Sequence, residues 1–135
     1  MKKIISLFLL TIALICAAYF DTSAVNNITS KAEAAAVKQV QALHILVPTE
    51  QEAIDIRKEI MTGQTQGEIF SNFTKAARKY SKCPSGSSGG ILGWFGRGDM
   101  VPEFEKAAFS LPNGQVSEPV KTQYGWHLIY IISKK

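Results

Sequence analysis

Cysteine is scarce in this 135-residue chain, which has only Cys16 and Cys83. Cys16 falls inside an apolar N-terminal run. Beyond that run Cys83 stands alone, and no intramolecular disulfide can staple the rest of the chain. Histidine is as scarce, with His44 and His127 only. Neither a CxxC nor an HxxxH spacing occurs, which removes the usual frameworks for zinc. Compact charge runs are missing too. From Val37 onward twelve Lys/Arg stand against nine Asp/Glu, a net of about +3, and the cations are scattered. So thin an excess serves solvation and argues against a nucleic-acid partner. There is no internal repeat and no sign of oligomerisation, so one monomeric domain is expected.

Apolar side chains crowd the N-terminus. MKKIISLFLLTIALICAAYF opens with Lys2 and Lys3, then runs apolar from Ile4 to Phe20, broken only by Ser6 and Thr11. The run is a little short of the about 20 residues of a comfortable membrane span. A basic start, an apolar run and small residues afterwards read as a secretory signal over residues 1–24. Cleavage after Ala24 is preferred to cleavage after Ala34 or Ala36. An uncleaved anchor over residues 4–20 is the alternative. Export to a periplasm, a lumen or the cell exterior is expected, with the membrane met only through this segment. Residues 25–38 are small and polar and read as a linker, leaving 39–135 as the folded domain. Asn27-Ile28-Thr29 and Asn72-Phe73-Thr74 are glycosylation sequons, relevant only in a host that modifies exported proteins.

VQALHILV, Val40 to Val47, is branched and apolar and stops at Pro48, so it predicts a buried strand. Thr49 and Glu52 have capping-box spacing ahead of a helix that Gly63 ends. Ile69, Phe73, Ala76, Ala77 and Tyr80 share a helical face, predicting a second helix from about Glu68 to Tyr80. GILGWF predicts a short strand, and Pro102 opens a short helix carrying Phe104, Ala107 and Ala108. Asn113-Gly114 signals a turn, and WHLIYIIS, Trp126 to Ser133, predicts another strand. The order β-α-α-β-α-β-β implies an α+β fold with a mixed sheet covered by helices.

The stretch CPSGSSGGILGWFGRGDM, Cys83 to Met100, holds six of the ten glycines beside two aromatics and a methionine. His44 and His127 each fall in a strand expected to lie centrally, so their rings can meet if those strands are neighbours. Three readings of this constellation stand open. The histidines can be structural. Cys83 can be a nucleophile with a histidine base. Cys83 and both histidines can hold zinc, although a fourth ligand is missing.

ALHILV, CPSGSSGGILGWFGRGDMVPEFEKAAFSL and VKTQYGWHLIYI, met in that order between Gln41 and Ser133, closely resemble the parvulin family of peptidyl-prolyl cis/trans isomerases. The resemblance implies a parvulin-like (FKBP-like) four-stranded antiparallel sheet flanked by helices. It implies a folding assistant for exported proteins that takes proline-containing polypeptides and needs no cofactor and no metal. By position, His44 and His127 match the family's paired histidines, Thr122 the hydroxyl linked to them, and Cys83 a place held by Cys or Asp. Leu92, Met100 and Phe104 match the apolar pocket for the proline ring, with Phe95 near its wall and Tyr124 at a variable substrate-facing place. A non-catalytic chaperone or peptide-docking module on the same fold is the alternative.

The sequence departs from the phosphate-directed branch of that family, which carries cations soon after the first histidine. Here the stretch is VPTEQEA, with Pro48, Glu50 and Glu52, where a phosphate dianion would meet acids. No preference for phospho-Ser/Thr is expected. The segment from Gly63 to Phe73 also looks longer than in compact bacterial relatives.

Overall fold

A computed structural model of the chain describes residues 36–135, all of them within one compact unit. The expected signal, most of the linker, the anticipated cleavage sites after Ala24 and Ala34 and the Asn27 sequon lie outside the described residues. Among the described residues no helix is long and apolar enough to cross a membrane.

The elements are β1 (Gln39–Val47), α1 (Glu50–Ile60), α2 (Gln66–Tyr80), a 3-10 turn (Pro84–Ser88), β2 (Ile91–Gly96), α3 (Pro102–Ser110), β3 (Val120–Thr122) and β4 (Gly125–Lys134). They form one four-stranded sheet in the order β2-β1-β4-β3, with antiparallel neighbours throughout. The expected α+β architecture is the one observed, but the sheet is wholly antiparallel, as the family resemblance implies, and not the mixed sheet expected from the element order. Gly114 sits in the anticipated turn at φ +77°, and the chain beyond it runs beside β4, bridging Val116 to Tyr130.

The apolar residues of β1 fall at both odd and even positions for a simple reason: both faces of the sheet are covered. Leu43, Ile45 and Val47 point to one face, where α1 and α2 add Ala53, Ile56, Ile60, Phe73, Ala76 and Ala77. Val40 and Ala42 point to the other, where α3 adds Phe104, Ala108 and Phe109. Side chains alternate with a period of two along a strand. His44 therefore follows Val40 and Ala42 onto the α3 face. On β4, Ile129 and Ile131 occupy that same face, and His127 is the next position in their series.

Helix starts differ from expectation in one respect. Thr49 accepts the Glu52 N–H at 3.3 Å, which is half of the anticipated box. The reciprocal box closes at α2. Thr65 accepts from the Glu68 N–H at 3.2 Å while the Glu68 carboxylate accepts from the Thr65 N–H at 3.1 Å. This cap starts α2 at Gln66, two positions ahead of Glu68. It also turns much of the 63–73 segment into helix. Asn72 is half-buried and donates its side-chain amide to the Ile60 carbonyl at 3.3 Å, which ties α2 to α1. A glycan there would have to break that contact.

Candidate active site

β1 and β4 are the central pair, and their register sets Leu46 opposite His127 and His44 opposite Ile129. The histidines are thus diagonal neighbours on one face, a relation in which long or aromatic side chains reach each other. Their Nδ1 atoms are 3.3 Å apart. The rings are nearly parallel, at 17°, with centroids 5.5 Å apart. Thr122, on β3, places its Oγ1 2.8 Å from His127 Nε2 and accepts the Tyr124 N–H at 3.2 Å. Ser85, on the 3-10 turn, places its Oγ 2.9 Å from His44 Nε2.

Both histidines and Thr122 are buried. Burial, reinforced by the neighbouring His127, pushes His44 down to about 4. Burial likewise lowers His127. Charging either ring means stripping water from a cation, and charging both sets like charges side by side. At neutral pH the pair is uncharged.

Phe104, on α3, closes over this pair. Its ring meets His127 edge-on at 5.4 Å and 83°, and His44 at 5.8 Å and 80°. A hollow of about 380 Å³ opens beside it, lined by both histidines, Cys83, Leu92, Met100, Phe104 and Tyr124. Leu46, Asp99 and Val101 complete the lining. Tyr124 stands at the rim, 65% exposed. Phe95 departs from the reading made on the sequence. It is buried behind Phe104, with ring centroids 6.0 Å apart, and packs on to Phe109, so it supports the wall without lining the hollow.

Two glycines explain how the loop reaches this place. Gly90 has φ +83°, and a Cβ there would collide with the backbone oxygen of His44. Its own backbone bonds the strand, since the His44 N–H donates to Gly90 O at 2.8 Å. Gly93 has φ +77° and marks an irregularity in the β1–β2 ladder, where Leu43 faces Ile91 but Ala42 faces Gly93. The extra residue is Leu92. A bulge re-aims the side chain it contains, and here Leu92 points into the hollow.

Every ring nitrogen of the histidine pair is engaged by the other histidine, Thr122 or Ser85. None remains as a base for the Cys83 thiol, so the arrangement lacks the nucleophile–base contact of a thiol hydrolase. Among the described residues no three His, Cys, Asp or Glu side chains are grouped so as to hold a metal ion. The sequence reading missed Ser85, Leu46, Asp99 and Val101. Leu46 was findable from its period-two relation to His44; Ser85 carried no local signal.

Comparison with known proteins agrees with this geometry. Residues 44–133 match the rotamase family, the PPIC-type PPIase domain. The chain is 45% identical over 98 residues to the foldase protein PrsA of Geobacillus kaustophilus, a match covering 72% of this chain and 32% of that protein. The peptidylprolyl isomerase PrsA of Bacillus anthracis superposes with a TM-score of 0.65 at 38% identity, covering 78% of this chain and 45% of that one. NmPin, the parvulin of Nitrosopumilus maritimus, superposes with a TM-score of 0.60 at 36% identity, covering 71% of this chain and 97% of that one. The chain thus spans about a third of the curated foldase it matches, yet nearly all of the Nitrosopumilus maritimus parvulin. With the family's span running from the first histidine to the end of the last strand, the chain belongs to the PPIC-type peptidyl-prolyl cis/trans isomerases, the parvulins.

Proposed function

We propose that the hollow beside Phe104 seats the proline of an unfolded polypeptide and that the domain turns over X–Pro bonds in exported proteins. The observation that carries this is the neutral His44–His127 pair lying under an apolar hollow. Rotation about the bond costs about 18–20 kcal/mol because amide resonance is lost on twisting. Unaided, it takes tens to hundreds of seconds at 25 °C. No bond is cut, so no nucleophile or leaving group is needed.

The planar amide is charge-separated by resonance, and the twisted amide is less so. Water favours the planar form; apolar walls do not. Met100, Leu92 and Phe104 supply such walls, with Met deformable and Phe flat. They hold the ring while the preceding carbonyl swings past Cys83, which acts as a weakly polar neighbour. The buried histidines give a rigid polar floor that adds no charge. Each roughly 1.4 kcal/mol by which this setting favours the twisted over the planar amide is worth about tenfold in rate.

The clients are exported chains, met where the N-terminal signal delivers this domain or where an N-terminal anchor holds it. The domain works as a monomer without cofactor, metal or nucleic acid. Glu50 and Glu52 lie exposed in the first turn of α1, directly after β1. Acidic groups there disfavour a phosphate next to the proline. The test is exchange NMR on a Ser-Pro peptide and its phosphorylated form. Acceleration of the plain peptide, with no gain of several-fold on phosphorylation, fits this reading. Binding without acceleration points to a docking module on the same fold.

A further inference from the structure

The lining of the hollow is neutral except at one place. Burial keeps His44 and His127 uncharged, and the remaining walls are apolar or end in a cysteine or a tyrosine. Asp99 alone brings a carboxylate to the lining, and no lysine or arginine joins it there. We infer that Asp99 is a specificity-determining residue, which selects client segments with a lysine or arginine next to the proline. This rests on the reading that the hollow seats the proline ring.

The turn after β2 fixes where this charge stands. The Gly96 N–H donates to Asp99 Oδ2 at 2.7 Å, and the Asp99 N–H reaches back to Gly96 O at 3.5 Å. One carboxylate oxygen is thereby committed to the backbone. The other, Oδ1, has no hydrogen-bond partner among the described residues, and Asp99 is exposed at the mouth of the hollow. The neighbouring cation does not neutralise it. Arg97 Nη1 lies 3.7 Å from Glu105 Oε1, and its guanidinium sits over the Phe109 ring at 4.3 Å. Among the described residues Asp99 makes no ion pair.

Met100 and Val101 follow Asp99 directly, so the charge stands beside an apolar wall of the hollow. Consecutive Cα atoms are about 3.8 Å apart, so a residue flanking a seated proline lies at the rim. The long stem of a lysine or arginine can lie along Met100 and Val101 while its head reaches the open oxygen. A glutamate in the same place meets a like charge. The attraction acts at an exposed group, so it is modest and salt screens it. Long-range attraction works the other way, because the domain carries about +3 from Val37 onward and draws acidic peptides. A preference for lysine therefore has to arise locally.

The test compares Ala-Lys-Pro-Phe, Ala-Ala-Pro-Phe and Ala-Glu-Pro-Phe with the full chain, and a second series that places Lys, Ala or Glu just after the proline. Exchange NMR gives kcat/KM and peptide titration gives Kd, each at low and at high salt. In at least one series the wild type should favour Lys over Glu by about fivefold at low salt, with Ala between, and by about twofold or less at high salt. Asp99→Asn keeps an acceptor for the Gly96 amide and should bring the ratio close to one. Asp99→Lys should invert it. Equal handling of Lys and Glu by the wild type in both series would overturn the inference, and so would a Lys preference that survives in Asp99→Asn. The wild-type ratio and its salt dependence need no variant to fold. Acceleration without charge preference would sink this inference and leave the isomerase reading; a salt-sensitive Lys preference in Kd without acceleration would do the reverse.

Discussion

The Nδ1 atoms of His44 and His127 lie 3.3 Å apart although 83 positions separate the two residues in the chain. The antiparallel register of β1 and β4 brings them together, and the period of two puts both on the face that α3 covers. Phe104 touches both rings, so the polar pair and the apolar hollow are one construction.

That contact predicts how Phe104 and Lys106 differ. Phe104 is 3% exposed, whereas Lys106, two positions on, is exposed. Phe104→Ala empties a core site and costs about 3–5 kcal/mol of stability. Phe104→Leu is therefore the better probe. It should keep the fold by thermal melting and lower kcat/KM about tenfold or more, while Lys106→Ala stays within about twofold. Equal effects would place the proline elsewhere.

The lowered His44 value makes stability depend on pH in a stated direction. Between about 4 and the ordinary 6.5 the unfolded chain holds a proton on this residue that the folded chain lacks. Stability therefore rises with pH through that window and is lost as pH falls towards 4. The contribution of His44 is roughly 3 kcal/mol at most. Urea titrations at several pH values should show this slope, and His44→Gln should remove its share. Turnover should fall as pH approaches 4, because a charged ring next to His127 breaks the neutral floor. A flat profile from pH 4 to 6.5 would contradict the burial argument.

Cys83 lines the hollow, half-buried, with no histidine nitrogen free to activate it. Cys83→Ser and Cys83→Asp should each retain isomerase activity within about tenfold. Complete loss in a folded variant, read by the same peptide assay, would reinstate a nucleophilic role.

The two loop glycines should respond unequally to alanine. At Gly93 a Cβ meets nothing within 4 Å, so only the positive φ is strained, at about 1 kcal/mol. At Gly90 the same strain is joined by collision with the His44 backbone. Gly90→Ala should lose several-fold more stability in denaturant titrations and should disturb the His44 ring resonances. Comparable losses at both sites would argue against the close approach.

Much of this was legible in the sequence because it rests on period and punctuation. Val40–Val47 and Trp126–Ser133 announced themselves as buried strands, and two histidines within them could meet if the strands paired, although only the register decides that they do. The remainder depends on close three-dimensional fit. Ser85 reaches His44 only because a 3-10 turn is pinned by Gly90, and nothing adjacent in sequence marks that. Leu92 faces the hollow through a bulge that reverses the strand's alternation. Phe95, with the same bulk as Phe104, falls one layer behind because α3 brings Phe104 between it and the histidines. Thr65 and Glu68 had the same spacing as Thr49 and Glu52, yet only the former pair closes reciprocally.

The most direct measurement is the rate of cis/trans exchange in an unphosphorylated X–Pro peptide, followed by exchange NMR with the wild-type chain and with Phe104→Leu. The account predicts marked acceleration by the wild type, strong weakening in the variant, and peptide-induced shifts centred on Met100, Phe104 and Tyr124. Peptide binding at those residues with no change in exchange rate would contradict it.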